Sequence, residues 1–208
     1  MGTMRLKAAD HTGQPWRIHE ITRDFELKDV WSFCTPAIGP DGFPAALAAI
    51  EATYAPTAST LPAPVRLLFT TRRRLGTLFG WDDEAEGLAK RVRSLRARLP
   101  KDLAEGRTGS SAEGLPFTPL YELDNECARE LANRVVHAVM HLSWAPTTDG
   151  GHELRMAVLV KPNGRFGQLY MAAIGPFRYV IVYPMMIRRW EAAMRTAATS
   201  RVRDTSAI

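Results

Sequence analysis

The chain has 208 residues, a formal net charge of +5, 46% hydrophobic and 24% charged side chains, an ordinary globular composition that fits one domain able to bury roughly 70% of its unfolded surface. Its two cysteines, Cys34 and Cys127, form neither a disulfide framework nor a metal spacing, which points to a reduced, cytoplasmic setting. A pI near 9.5 permits attraction to nucleic acid, lipid head groups or acidic ligands without choosing among them.

Residues 1–15 (MGTMRLKAADHTGQP) have no apolar signal core and read as a loose leader. Trp16 to Leu27 is β-branched and aromatic in places and reads as a first strand, with Lys28-Asp29-Val30-Trp31 opening a helix. The loop TPAIGPDGF precedes PAALAAIEATYA, a short helix closed by Pro56. After a second loop, APTASTLPAP, the stretch Pro64 to Trp81 spaces Val65, Leu68, Phe69, Leu75, Leu78 and Phe79 as a helix, with Arg66, Arg72, Arg73 and Arg74 mostly elsewhere on it. From Glu84 to Leu99 the stripe is Leu88, Val92, Leu95 and Leu99, while Lys90, Arg91, Arg93, Arg96 and Arg98 crowd the opposite face. Together these form a basic helical insert over residues 44–100, followed by EGRTGSSAEGLP, read as a mobile loop.

Between Phe117 and Asn133, ECARELAN reads as a strand hairpinning into the next one, with a helix capped by Asp124 as the alternative. RVVHAVMHLSW alternates, placing Val136, Ala138, Met140, Leu142 and Trp144 on one face and Val135, His137, Val139, His141 and Ser143 on the other. Thr147 to Gly151 reads as a hairpin loop. In VLVKPNGRFGQLYMAAI, the Asn163-Gly164 pair predicts a two-residue turn that sets Val160 opposite Gly167, Val158 opposite Leu169 and Met156 opposite Met171. The result is an antiparallel meander with one fully apolar face and one mixed face that is only partly covered.

After Gly175-Pro176, FRYVIVYPMMIRRWEAAMRTAA is too long for a strand and reads as a helix, apolar nearly all round from Phe177 to Ile187 and so buried on more than one side. Pro184 removes the bond to the Val180 carbonyl and must kink or restart it. The longest apolar run, Tyr179 to Ile187, falls far below the roughly 20 residues of a membrane span. Residues 197–208 read as a tail.

DVWSF after a first strand, ELANRVVHAVMHLSW, VKPNGRFGQLYMAAI and PFRYVIVYPMMIRRW resemble the bacterial domain-of-unknown-function family numbered 2867, itself grouped with the START-like, or SRPBCC, superfamily. The resemblance covers about Trp16 to Met194 and is strongest after Phe117. It implies an α+β helix-grip fold over residues 16–196: an antiparallel sheet curved around a long C-terminal helix, with an apolar cavity between them. Superfamily members include lipid-transfer proteins, hormone receptors and aromatic cyclases. The family supplies no catalytic motif, and the basic insert is absent from the smallest superfamily members.

His137 and His141 have a four-residue spacing that serves zinc only on a helix; on a strand they stand about 13 Å apart. They therefore read as structural, and no Cys or carboxylate cluster joins His11, His19 and His152. Glu122, Asp124, Glu126 and Glu130 could do acid–base work, yet Asp124-Asn125-Glu126 is also plain turn chemistry. Nucleophile-elbow, P-loop, dinucleotide and H-E-x-x-H signatures are absent. No catalytic residue, metal or cofactor is assigned.

The expected function is binding of an apolar small molecule or lipid by Trp31, Met140, Leu142, Trp144, Met156, Val158, Leu169, Met171 and Tyr183. One alternative is a cyclase- or hydratase-like enzyme using Glu126, Glu130 or His141 with Tyr183 as a polar handle. Another is docking of Glu84 to Leu99 on an anionic membrane surface. Nucleic acid is disfavoured because no aromatic platform interleaves the arginines.

Overall fold

A computed structural model describes residues 3–35, 39–54, 92–110, 117–133 and 135–205, with side chains described up to 199. Among them the fold is α+β: a six-stranded antiparallel sheet and a long C-terminal helix. The strands are β1 (Met4–Arg5), β2 (Glu26–Phe33), β3 (Thr118–Glu122), β4 (Glu126–Ala132), β5 (Val136–Pro146) and β6 (His152–Pro162), in the order β1-β2-β6-β5-β4-β3. The helices are α1 (Ala8–Thr12), α2 (Ile18–Ile21), α3 (Phe43–Ala52), α4 (Lys101–Glu105), α5 (Gly164–Phe177) and α6 (Tyr183–Thr205), the last two joined through a π turn, Arg178–Val182.

β5 and β6 pair along their whole lengths, Val136 opposite Pro162 and Pro146 opposite His152, because each alternates without interruption. Their inner rows, with Phe33 and Cys127, meet Phe43, Ala46, Leu47 and Ile50 of α3 and Tyr183, Trp190 and Met194 of α6 in one core. The opposite face is not open. Trp16, Ile18, Ile21, Leu95 and Leu103 cover it, packing on Val30, Val139, Ala157 and Leu159. The sheet is thus walled on both sides, and the face expected to be only partly covered is buried at His137, Val139, His141, Ser143, Ala157 and Leu159, while Lys161 at its end stays exposed.

Several expectations change. Asn163 has φ −85° and ψ 93°, not the positive φ of the expected turn, and the chain enters α5 there instead of returning as a strand. GQLYMAA holds good helix formers and no β-branched residue, and the tertiary context decides the outcome, since β6 already has both edges occupied by β5 and β2. The helix expected after Pro176 therefore starts at Gly164, and Leu169 and Met171 ride on it. Gly167 is needed for its close approach to the strand end, since a Cβ there would meet the Val135 carbonyl oxygen at 2.4 Å.

In Trp16 to Leu27 the expected strand is a one-turn helix, α2, and the segment expected to open a helix, Lys28 to Trp31, lies in β2. Pairing of β2 between β1 and β6 overrides its weak local pattern. Residues 4–12, read as a loose leader, supply β1 and α1, with His11 fully buried. Between Phe177 and Ile187 only Tyr183 is buried and Val180 is exposed, so this stretch is not enclosed on several sides. The strand reading of 126–132 holds. The basic helix Pro64 to Trp81 and the start of the next, Glu84 to Arg91, lie outside the described residues. The described end of that segment is a short 3-10 turn, Leu95–Arg98, rather than helix.

Candidate functional site

β2 carries a bulge: Leu27 pairs with Leu159 but Asp29 pairs with Val158, leaving Lys28 extra. Residues two apart on a strand normally share a face; the extra residue reverses this, so Leu27 faces α2 and Asp29 turns toward the C-terminal helix. Opposite it, the π turn brings Arg178, Tyr179 and Tyr183 to the same side of the helix. Pro184 supplies the cause, since it cannot donate an N–H to the preceding turn.

These two irregularities meet. Asp29, 2% exposed, accepts hydrogen bonds from Tyr183 Oη at 2.7 Å and Arg5 Nη2 at 3.3 Å, and from Tyr179 and Arg178. Each carboxylate oxygen receives two donors, which fills its acceptor capacity. Burial raises the Tyr183 and Tyr179 hydroxyl pKa values, with Asp29 adding to it, so both remain protonated donors at neutral pH. Arg5 also lies over the Tyr179 ring at 4.8 Å. Two guanidiniums against one carboxylate leave the cluster cationic.

Beside Asp29, the expected apolar residues are largely brought together. Met140, Leu142, Trp144, Met156 and Tyr183 are buried in the helix-side core, with Trp31 and Val158 packed against it and partly exposed. Leu169 is not among them: it is 68% exposed on α5. Met171 instead packs, partly buried, on Val136, Ala138 and Val160. Val158 is notable because it sits mid-strand between Asp29 and Met140, where a sheet centre under a helix would normally be sealed. This partly exposed apolar strip, a seam along the sheet beside Met171 of α5, adjoins the Asp29 cluster.

The acid–base candidates lie on the other side of the sheet. His141 Nε2 donates to Glu126 at 2.7 Å, which leaves His141 Nδ1 to accept from His11 Nε2 at 3.1 Å. By this hydrogen-bond logic His11 Nδ1 is unprotonated, and it has no partner. Burial, then the neighbouring His141, lowers the His11 pKa to about 3. Glu126 further accepts from the Arg17 backbone N–H at 2.9 Å. Glu130 accepts from His137 and from the Leu95 N–H, both at 3.0 Å. Every one of these groups is enclosed, so the network pins α1, α2 and the 3-10 turn to the sheet, and Tyr183 is separated from it by the sheet itself. Among the described residues no group of three or more His, Cys, Asp or Glu is placed to hold a metal ion. Asp124 is exposed and pairs with Arg107. Burial pushes the Cys127 thiol up to about 12, which makes it inert.

Of the basic segment, Arg98 pairs with Asp24 at 2.6 Å and Arg96 donates to the Pro119 carbonyl at 3.4 Å. These arginines bind the protein itself. Sequence reasoning missed Asp29, Arg5, Arg178 and Tyr179. The available signal was an aspartate within an otherwise apolar alternation, VWSF, and an arginine–tyrosine pair interrupting an apolar helix. The unbroken helical stretch Gly164–Thr199 is 36 residues long and, by length and composition, could cross a membrane. Its second half is committed elsewhere, because Tyr183, Trp190 and Met194 lie in the core.

Fold and site define an α+β protein in which a two-sided antiparallel sheet presents an apolar seam and a cationic tyrosine–arginine–aspartate cluster to its C-terminal helix. Residues 21–185 match the model of the family DUF2867, described as a protein of unknown function, and the chain belongs to that family. Neither a curated protein nor a solved structure matches it.

Proposed function

We propose that this protein binds an apolar small molecule or lipid chain in the seam between the sheet and α5, without chemical conversion. The observation that carries the reading is the partial exposure of Val158 and Trp31 at the centre of the helix-facing sheet surface. Exposed Leu169 and Val180 on the same long helix extend the apolar surface beyond what a sealed core requires. Ligand sites are mostly apolar with a few placed polar groups, and the Asp29 cluster at the seam's edge fits that pattern. The long helix against one face of an antiparallel sheet also supports kinship with helix-grip proteins, although the helical cover on the opposite face is additional to that scheme. The groups offered for an enzyme, Glu126, Glu130 and His141, are consumed by mutual hydrogen bonds on the far face, which favours binding over catalysis.

The test is titration with 1-dodecanol by isothermal calorimetry, comparing the parent with Val158→Trp, whose larger side chain fills the seam. Saturable binding by the parent, weakened about tenfold or more in the variant with unchanged far-UV circular dichroism, is expected. No binding by the parent, or equal binding by both, overturns the reading.

A further inference from the structure

The Asp29 cluster also borders the edge where β1 meets β2. A groove of about 340 Å³ opens there between Arg5, Leu6, Lys7 and Ala8 on one wall and Leu27, Lys28, Asp29 and Val30 on the other. Its floor is the bulge, and its wall is held by the hydrogen bond from the Leu6 N–H to the Val30 carbonyl at 2.9 Å. Three cations and one carboxylate line it. Lys28 is spent on Glu26 at 2.5 Å, but Lys7 has no ion pair among the described residues, and the hydrogen bonds of Arg5 all run through Nη2. Behind Asp29, the buried Nε of Arg178 has no partner. The carboxylate is already saturated by four donors, so it has no acceptor capacity left with which to hold a cation; what remains unsatisfied is donor capacity and positive charge.

Resting on the reading that the seam takes an apolar chain, we infer that the ligand is an amphiphile with an anionic head, a carboxylate or a phosphate. The head sits in this groove against Arg5 and Lys7, adjoining Arg178, and the chain passes Asp29 toward Trp31 and Val158. The strand register makes these residues neighbours: Arg5 is the partner of Trp31, and Asp29 that of Val158. Arginine suits this role because its planar fork matches either oxyanion. Asp29 then acts as a positioning residue, holding Arg5 and Arg178 in place, and the excess positive charge of the guanidiniums disfavours cationic heads.

Calorimetric titration with dodecanoate, dodecyl phosphate, dodecanol and dodecyltrimethylammonium tests this on the full chain. Both anions should bind about tenfold or more tightly than the alcohol, with the ammonium weakest, and salt should erode the anion preference. The tighter of the two anions identifies the head. Arg5→Gln with Lys7→Gln should abolish most of that preference, bringing both anions to within about threefold of dodecanol in the same variant, and Arg5→Lys should restore part of it. Far-UV circular dichroism and thermal melts confirm that the variants fold. If dodecanol matches the anions, or the double variant keeps the preference, the anionic head is overturned while the seam reading stands. If no chain binds at all, both fall together.

Discussion

Asp29 shows how much one buried carboxylate can decide. It is held by four donors from two ends of the chain, and its removal would strand the largely buried Arg178 guanidinium and Tyr183 phenol, while Arg5 keeps its contact with water. Asp29→Ala should therefore cost about 3–5 kcal/mol, whereas Tyr183→Phe, which removes one donor of four, should cost about 1 kcal/mol; urea unfolding followed by circular dichroism measures both. Equal costs would mean that the carboxylate is not the centre of the cluster. A second residue-scale prediction concerns His11. Its folded pKa of about 3 lies below the ordinary 6.5, so the neutral form is the one the fold selects. Its stabilising contribution is complete above pH 6.5 and lost progressively as pH falls from there toward 3, on the order of a few kcal/mol. Thermal midpoints should fall across that window, and His11→Gln, which keeps a donor for His141 Nδ1, should flatten the fall. Identical pH profiles for parent and variant would show that His11 is not buried neutral.

Among the elements, β5 and β6 were legible from alternation alone, and their faces came out as expected, because a long central strand has no other way to bury one row of side chains. The Asn163-Gly164 pair misled. Its signal is a local one, and the competing helix at Gly164 is stabilised by contacts that no local pattern contains, among them Met171 on Val136, Ala138 and Val160. Gly167→Ala tests that docking. A Cβ 2.4 Å from the Val135 oxygen and 3.2 Å from the Pro162 carbonyl carbon must push α5 off the strand ends, so a loss of about 1–3 kcal/mol is expected despite the better helix propensity of alanine. A stabilised variant in chemical denaturation would mean that the helix is free to shift. The π turn before Pro184 was foreshadowed by the proline, but its outcome, three polar side chains presented to one strand residue, needed the bulge in β2 as well.

Across the whole molecule, the N-terminal segment closes the far layer. β1 extends the sheet at β2, and α1 delivers His11 to the buried Glu126–His141 pair. Deleting residues 3–12 would expose that pair and the β2 edge, so a loss on the order of several kcal/mol is expected, read as a lowered thermal midpoint. A truncated chain as stable as the parent would return these residues to the status of a loose leader. Expectations about the basic insert remain those of the sequence over Pro64 to Trp81 and Glu84 to Arg91.

By itself the sequence determined the α+β class, the antiparallel pairing of β5 with β6, the faces of those strands and the break near Pro184. Those properties follow from periodicity and backbone chemistry, which act between near neighbours. Only the tertiary structure decided that the sheet is covered on both faces, that the chain after Asn163 is helix, and that Arg5, Asp29, Arg178, Tyr179 and Tyr183 form one cluster. The cluster depends on partners more than a hundred residues apart in the chain, such as Asp29 and Tyr183, whose meeting is set by strand order, one bulged residue and one π turn. The free energy of a buried carboxylate depends on what surrounds it, and that environment is assembled only when the fold is complete.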